Sequence, residues 1–308
     1  MIEENQQLRM EIEYIKCLSS CQRASKKEQA EIITELRHKY PLSKLLALGK
    51  MSRSTYYYQL KRLRKPDKYS EVKEEIKKIF EHNKGRYGYR RVHVILRQQG
   101  MTLNHKTTQR LMASMKLQGK QRRNKYRSYK GEVGKITANT LNREFDAQKP
   151  FEKLVTDVTE FHVCNEKIYL SPVMDLFNRE IVAHAISRSP SFVQTRAMLE
   201  QLFARLPKDA TPIMHSDQGW QYQMREYQSM LKEHNITQSM SRKGNCLDNS
   251  VMENFFGRLK TEMFIGETFS SVEDFQQKLE EYICYFNNER VSLKLKGMSP
   301  VQFRTHST

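Results

Sequence analysis

Apolar residues recur every three or four positions over most of the chain, and in shorter β-branched and aromatic runs over one central stretch. The first pattern marks amphipathic helices and the second marks strands. Residues 2–18 set Ile2, Leu8, Ile12, Ile15 and Leu18 among Glu, Gln and Lys, which predicts a short helix with partly heptad spacing. Helices are expected over 27–39, over 42–48 behind Pro41, and over 56–63 with Ser52 or Ser54 as cap. Their order is that of a helix-turn-helix whose last helix carries Arg53, Lys61, Arg62 and Arg64, with Tyr56–Tyr58 nearby. An ordinary three-helix packing unit has the same pattern. Pro66-Asp67 breaks the chain, and Val72, Ile76, Ile79 and Phe80 define a helix over 71–83. After Gly85-Arg86-Tyr87-Gly88-Tyr89-Arg90-Arg91, helices over 91–99 and 105–115, the second capped by Asn104, form the better helix-turn-helix.

From Leu154 the pattern becomes α/β. Strands are expected over 154–163, 167–176 and 180–187, with tight turns at Asn165-Glu166 and Asn178-Arg179, an antiparallel meander. Then come a helix over 192–206, a strand over 212–216, a helix over 223–234, a strand over 236–240, and helices over 249–264 and 272–287. Ser299-Pro300 should open a last short helix. The reading divides the chain into a helical region (1–65), a helix-turn-helix domain (66–118), a basic linker (119–150), a catalytic core (151–265) and a C-terminal helical extension (266–308).

Charge sharpens this division. The net charge is +18, and residues 1–150 hold 35 Lys+Arg against 15 Asp+Glu, an excess of +20 that leaves −2 for the rest. A basic half ahead of a near-neutral one points to nucleic acid rather than to a merely soluble surface. In the linker, basic residues alternate with Tyr126 and Tyr129, which suits a segment tracking phosphates or a solvated hinge. Five cysteines match no zinc spacing, and no apolar run approaches a membrane span. A cytoplasmic protein with reduced thiols is the expectation.

Three acids stand out. Asp157 sits in the Val/Thr/Phe-rich run, Asp217 follows Ile213-Met214-His215 into a Gly turn, and Glu253 lies on a helix with Val251, Phe255, Leu259 and Met263 at four-residue spacing. Two Mg²⁺ ions, with Mn²⁺ as a possible substitute, need such hard oxygen ligands to stabilise both the attacking and the leaving oxygen of a phosphodiester. Asp175, Glu160 and Asp248 read instead as structural, Asp248 with Asn249 at a helix cap. His215 either orients a ligand or fills the strand end. Arg242, Lys243 and Asn245 lie in the loop before the Glu253 helix, where DNA would pass. Arg90, Arg91, His105, Lys106, Thr108, Gln109 and Arg110 are offered by the second helix-turn-helix.

Thirty-five residues (218 to 252) separate Asp217 from Glu253, and Lys260 follows seven later. With Thr156-Asp157-Val158-Thr159-Glu160-Phe161, His215-Ser216-Asp217-Gln218-Gly219-Trp220 and Glu253-Asn254-Phe255-Phe256-Gly257-Arg258-Leu259-Lys260, this resembles the D,D(35)E core of insertion-sequence transposases. The match is to the OrfB proteins of insertion-sequence family 3, in the branch of insertion sequence 150, and it runs from about Ser52 to Arg304. It implies an α/β ribonuclease H-like integrase core, a mixed five-stranded sheet with helices, preceded by an all-α helix-turn-helix DNA-binding region. It also implies a transposase that binds terminal inverted repeats and performs Mg²⁺-dependent cleavage and strand transfer. Lys260 would contact DNA near the cleaved end. DNA, a second copy of the chain, and the upstream-frame OrfA protein are the implied partners. One departure is Leu154, where the family commonly has Trp. A catalytically silent DNA-binding regulator and a plain nuclease are the rival readings.

Overall fold

The computed structural model describes residues 2–18, 25–64, 67–120, 137–242 and 246–307, and it divides into compact units Met1–Glu74 and Glu75–Thr308. The first unit contains α1 (Ile2–Leu18), α2 (Lys26–Leu36), α3 (Leu42–Leu48) and α4 (Arg53–Arg64). Met10 and Tyr14, one helical turn apart, seal α1 into a core with Ala30, Ile33, Leu45 and Tyr56. Leu8, Ile12 and Ile15, the heptad-like positions, are each more than half exposed. A capping box between Ser25 and Glu28 starts α2, and Ser52 Oγ accepts from the Thr55 amide at the start of α4. Tyr56 is fully buried, which leaves Tyr57 and Tyr58 outside, with Arg62 over the Tyr58 ring.

The unit boundary falls within α5 (Ser70–His82); the second unit continues with α6 (Tyr89–Gln98) and α7 (His105–Ser114), capped by Asn104 as expected. The sheet follows: β1 (Lys153–Thr156), β2 (Thr159–Val163), β3 (Glu166–Asp175), β4 (Ile181–Ser187), β5 (Ile213–Ser216) and β6 (Thr237–Met240). One edge of β3 pairs with β4; the other pairs with both β2 and β1. Six segments therefore make five rows, in the order β4, β3, β2/β1, β5, β6, with β5 and β6 parallel to β1. The expected strand over 154–163 is in fact two, broken at Asp157-Val158. The break has a local cause: the Val158 amide bonds Asp157 Oδ1 at 2.8 Å instead of a neighbouring strand.

Side chains alternate across the sheet. Val155 and Met174 face α10 (Ser250–Leu259) and α11 (Val272–Asn288); Leu154 and Val173 face α8 (Phe192–Arg205) and the flank of α9 (Arg225–Glu233). Leu154 is fully buried, a core position as expected. The β2–β3 turn lies one residue earlier than expected. Glu166 belongs to the ladder opposite Val163, and Cys164 and Asn165 adopt the left-handed conformation, φ 49° and 63°, that a two-residue hairpin loop requires.

The helix pair α6–α7 belongs to the same unit as the sheet. The Val291 amide bonds Tyr87 Oη at 2.8 Å, and Gln98 Nε2 bonds the Gly297 carbonyl at 3.1 Å. Gly297 has φ +86°, and a Cβ there would lie 2.5 Å from Val94 of α6, so the tail needs glycine twice over. A last helix, α12 (Pro300–Ser307), closes the chain. Among the described residues no helix is long and apolar enough to cross a membrane.

Candidate active site

Strand register brings the two aspartates together. β1 and β5 are parallel, with Lys153 opposite Ile213 and Val155 opposite His215. Two residues on, both chains leave the sheet at the same end, so Asp157 and Asp217 emerge side by side, about the 4.8 Å spacing of neighbouring strands apart in backbone. Carboxyl ends of strands in an open α/β sheet are where sites form. Asp217 Oδ1 accepts the Gly219 amide at 2.9 Å. A Cβ at Gly219 would stand 3.0 Å from that oxygen and closer still to Gln221, so glycine is what lets the chain turn around the carboxylate.

Glu253 arrives from α10. Its helix is tied to β1 by Asn249, whose Nδ2 bonds the Thr156 carbonyl at 3.1 Å, one residue before Asp157. The two aspartates are half-buried, as is Glu253. Burial, then the charges of Asp217 and Glu253, push the Asp157 carboxyl well above its ordinary range, against the Val158 amide and the positive charge of Lys260. Asp217 is raised too, by burial. Beneath them Tyr222 is fully buried, and burial together with both aspartates raises its phenol well above the usual value. The Lys260 ammonium stands over the Phe161 ring at 5.2 Å, close enough to act on Asp157. After Leu259 the helix widens into a π turn over Lys260–Phe264, so the helix expected over 249–264 is regular only to Leu259.

His215 fills the strand end. Ser239 Oγ accepts from the Thr140 and Leu141 amides, so its own proton goes to His215 Nδ1 at 2.9 Å. Nε2 then donates to Ser241 Oγ at 3.1 Å, which donates on to the Ser216 carbonyl. Burial pushes the imidazole down to about 4, so it is neutral at pH 7 and stitches β5 to β6.

The loop before α10 departs from expectation. Arg242 Nε and Nη2 both engage Asp248 at 3.0 Å, so its guanidinium fork is committed to the protein rather than held open for DNA. Asp248 is fully buried and also accepts the Arg242 amide, Arg143 Nε at 2.7 Å and Asn139 Nδ2 at 3.0 Å. It is structural as expected, but as an ionic anchor rather than a helix cap; Arg242 first among these donors holds its carboxyl far below the ordinary range. Asp175 is likewise structural, accepting the Phe151 and Phe177 amides. Lys243 and Asn245 lie outside the described residues.

Of the helix-turn-helix residues, Arg90, His105, Lys106, Gln109 and Arg110 are exposed. Thr108 is not: it is fully buried, with its hydroxyl 3.4 Å from His93 Nδ1, because its position faces α6. Arg91 is also turned inward, to Glu262 at 3.5 Å. Sequence reasoning passed over Glu262, which is buried and holds Arg290 through two bonds of 2.6 and 2.9 Å and Tyr282 Oη through one of 2.9 Å. Asn249 reads as a cap beside Asp248 in the sequence, whereas in the fold its side chain reaches β1 at Thr156.

The donor set at Asp157, Asp217 and Glu253 is all oxygen, the chemistry that suits Mg²⁺ or Mn²⁺. Asn249 Oδ1, beside them in the Thr156 contact, is buried without a hydrogen-bond partner. Among the described residues no three His, Cys, Asp or Glu side chains stand as a preassembled metal cluster. Carboxylates that repel one another have no reason to close up without a cation. The residues fit such a group in chemistry while holding their charges apart.

Comparisons with known proteins give the family. Models of the integrase core domain match residues 147–246 and 253–308, and an HTH-like domain matches 68–125. The "Putative transposase InsK for insertion sequence element IS150" of Escherichia coli is 51% identical over 277 residues, 90% of this chain and 98% of that protein. The "Probable transposase for insertion sequence element IS1353" of Shigella flexneri is 38% identical over 90% of this chain and 55% of its own length. Among solved structures, the HTLV-2 integrase catalytic core domain in complex with magnesium is 16% identical over 51% of this chain and 97% of that one, with a TM-score of 0.38. A helix-turn-helix pair, an integrase core and this degree of identity to insertion-sequence 150 transposase together establish that the chain belongs to the integrase-core transposases of insertion-sequence family 3.

Proposed function

We propose that this transposase cleaves and joins DNA at the ends of its own insertion sequence, with Asp157, Asp217 and Glu253 holding two Mg²⁺ ions, or Mn²⁺ in their place. The observation that carries the reading is Asp157 itself: a carboxylate kept beside two others, with one amide hydrogen bond for about four acceptor sites. Its remaining lone pairs suit a cation. When bound, the metals supply charge stabilisation at the attacking and leaving oxygens of an in-line displacement. The chain's own residues set the frame for that chemistry. β1 and β5 fix the aspartates on one sheet end, and Asn249 fixes the base of the Glu253 helix against Thr156. Neutral His215 and buried Tyr222 exclude water from below without adding charge. Lys260 stands ready for a phosphate of the cleaved end.

Two displacements at phosphorus follow. Water attacks first: the new bond is to its oxygen, the bond to the 3′-oxygen breaks, and a 3′-hydroxyl is freed. That hydroxyl then attacks a target phosphodiester, expelling the target's own 3′-oxygen. Exposed Arg90, His105, Lys106, Gln109 and Arg110 contribute to binding the terminal inverted repeats. Leu8, Ile12 and Ile15, exposed on one face of α1, would pair with a second copy or with the upstream-frame protein.

Labelled inverted-repeat ends, Mg²⁺, and wild-type or Glu253→Gln protein test this. Joined product from the wild type alone is expected. Equal joining by Glu253→Gln would sink the three-acid assignment, and cutting without joining by the wild type would favour a nuclease.

A further inference from the structure

The second unit holds a cleft of about 780 Å³ between the α6–α7 pair and the α10 helix, with none of the three acids in its lining. Its charge is lopsided. Arg86, Arg91, Lys116, Lys120, Arg258 and Arg290 line it, against Glu262 and, paired to Lys120 at 2.7 Å, Glu267. Six cations thus meet two carboxylates. Glu262 is consumed by Arg290 and Arg91, and Arg86 is stacked over Tyr285 at 4.5 Å. Arg258 has no hydrogen bond or ion pair among the described residues, though Arg290 and Arg91 lie near enough to repel it and Glu262 near enough to attract it. Lys116 is exposed at the opposite wall. Such an excess of fixed positive charge in a concave surface is poorly compensated by solvent and favours an anion.

Helix geometry says where the cleft leads. Glu253 and Gly257 share one face of α10, and Lys260 opens the π turn that follows; Asn254 and Arg258 occupy the adjoining face, one residue or about 100° around, and line the cleft. A polyanion crossing the helix from Lys260 therefore enters the cleft past Asn254 and Arg258. At the far wall it meets Gln109 of α7, an exposed helix-turn-helix candidate; Arg91, the other candidate in the lining, is turned to Glu262.

We propose that this cleft is a DNA-backbone site. It takes the sugar–phosphate chain of one strand as it passes between the catalytic acids and α7, with Arg258 and Lys116 as its phosphate-binding cations. The inference deepens the functional reading above, since it rests on that reading's DNA substrate. Arg290, Glu262 and Arg91 act here as a paired floor that keeps one positive charge in excess; Arg258 and Lys116 stand in front of it for the ligand.

The test is binding without chemistry. A short fluorescein-labelled duplex of arbitrary sequence, and its single strand, are titrated in EDTA over a range of salt with wild type, Arg258→Ala/Lys116→Ala, and Lys208→Ala as a control at a remote exposed lysine. Loss of two phosphate contacts should flatten the slope of log K against log salt by about 1.8 for the duplex and about 1.4 for the single strand. Lys208→Ala should leave it unchanged. Asn254→Glu, which puts a carboxylate at the mouth of the cleft without removing any contact of the core, should weaken binding in the same assay. A wild-type slope in the double variant together with wild-type affinity in Asn254→Glu, at unchanged melting temperatures, would overturn the proposal. Should the double variant not fold, Asn254→Glu decides alone. Strand transfer by the wild type is measured separately in Mg²⁺. Joining with unaltered variant slopes removes only the cleft, whereas flattened slopes without wild-type joining remove only the catalytic reading.

Discussion

Asp157 and Asp248 are carboxylates of one catalytic core that receive opposite treatment. Asp248 accepts five hydrogen bonds from Arg242, Arg143 and Asn139 and is fully buried. Asp157 accepts one, from its own neighbour, and faces two further acids. The first carboxylate is satisfied by the protein, and its pKa falls; the second is left unsatisfied, and its pKa rises. Glu262, with Arg290, Arg91 and Tyr282 around it, sides with Asp248. The difference separates acids that hold a fold together from those that the proposed function gives to a metal, and it does so without reference to sequence motifs.

The strongest way to break this contrast is to remove the waiting charge. Asp157→Asn should lower strand transfer by about 10³-fold or more, the loss of several kcal/mol of metal-borne charge stabilisation. The same variant should unfold at a higher temperature in EDTA. Because the folded pKa of Asp157 is raised, its ionised form opposes folding; wild-type stability should decline as pH climbs above about 4 toward that raised value, and the Asn variant should lack the decline. A melting temperature below the wild type would contradict the account.

Removing a satisfied acid should do the reverse. Glu262→Ala strands the buried Arg290 and is expected to cost about 3–5 kcal/mol in urea unfolding. Asp248→Ala should cost less, about 1–3 kcal/mol, because Arg242 and Arg143 are partly exposed and can return to water. For Asp248 the sign with pH is opposite to that of Asp157. Its folded pKa is depressed, so its contribution is complete above the ordinary carboxylate value of about 4 and fades as pH falls through the depressed one. Smallest of all, Mg²⁺ at ten times its dissociation constant should stabilise the wild type by about 1.4 kcal/mol and Asp157→Asn by much less, read as a melting shift.

Much of this molecule was legible before folding. Asp157, Asp217 and Glu253 stood out by residue type and setting, and the elements carrying them followed from alternation and helical spacing. Even the pairing of the aspartates has a local basis, since each follows a short apolar strand. The break at Asp157-Val158 was not legible, because the Val/Thr-rich run continues through it and only the carboxylate's capture of an amide ends the ladder. Thr108 and Arg91 looked like groove-facing residues because a helix read alone has no inside; α6 and Glu262 supplied one. Arg242, in a loop, gave no local sign of its fork on Asp248 six residues on.

Sequence by itself determined the element order, the basic and near-neutral halves, and which residue types could do the chemistry. These depend on contacts within a few residues and on composition. Tertiary structure alone decided which charges are matched. Asp248 meets Asn139 from 109 residues away, and Glu262 meets Arg91 from 171. Ion pairing is short-ranged and reads distance in space, so whether a carboxylate is an anchor or a vacant ligand is settled only when the chain has brought its distant cations near, or has kept them away.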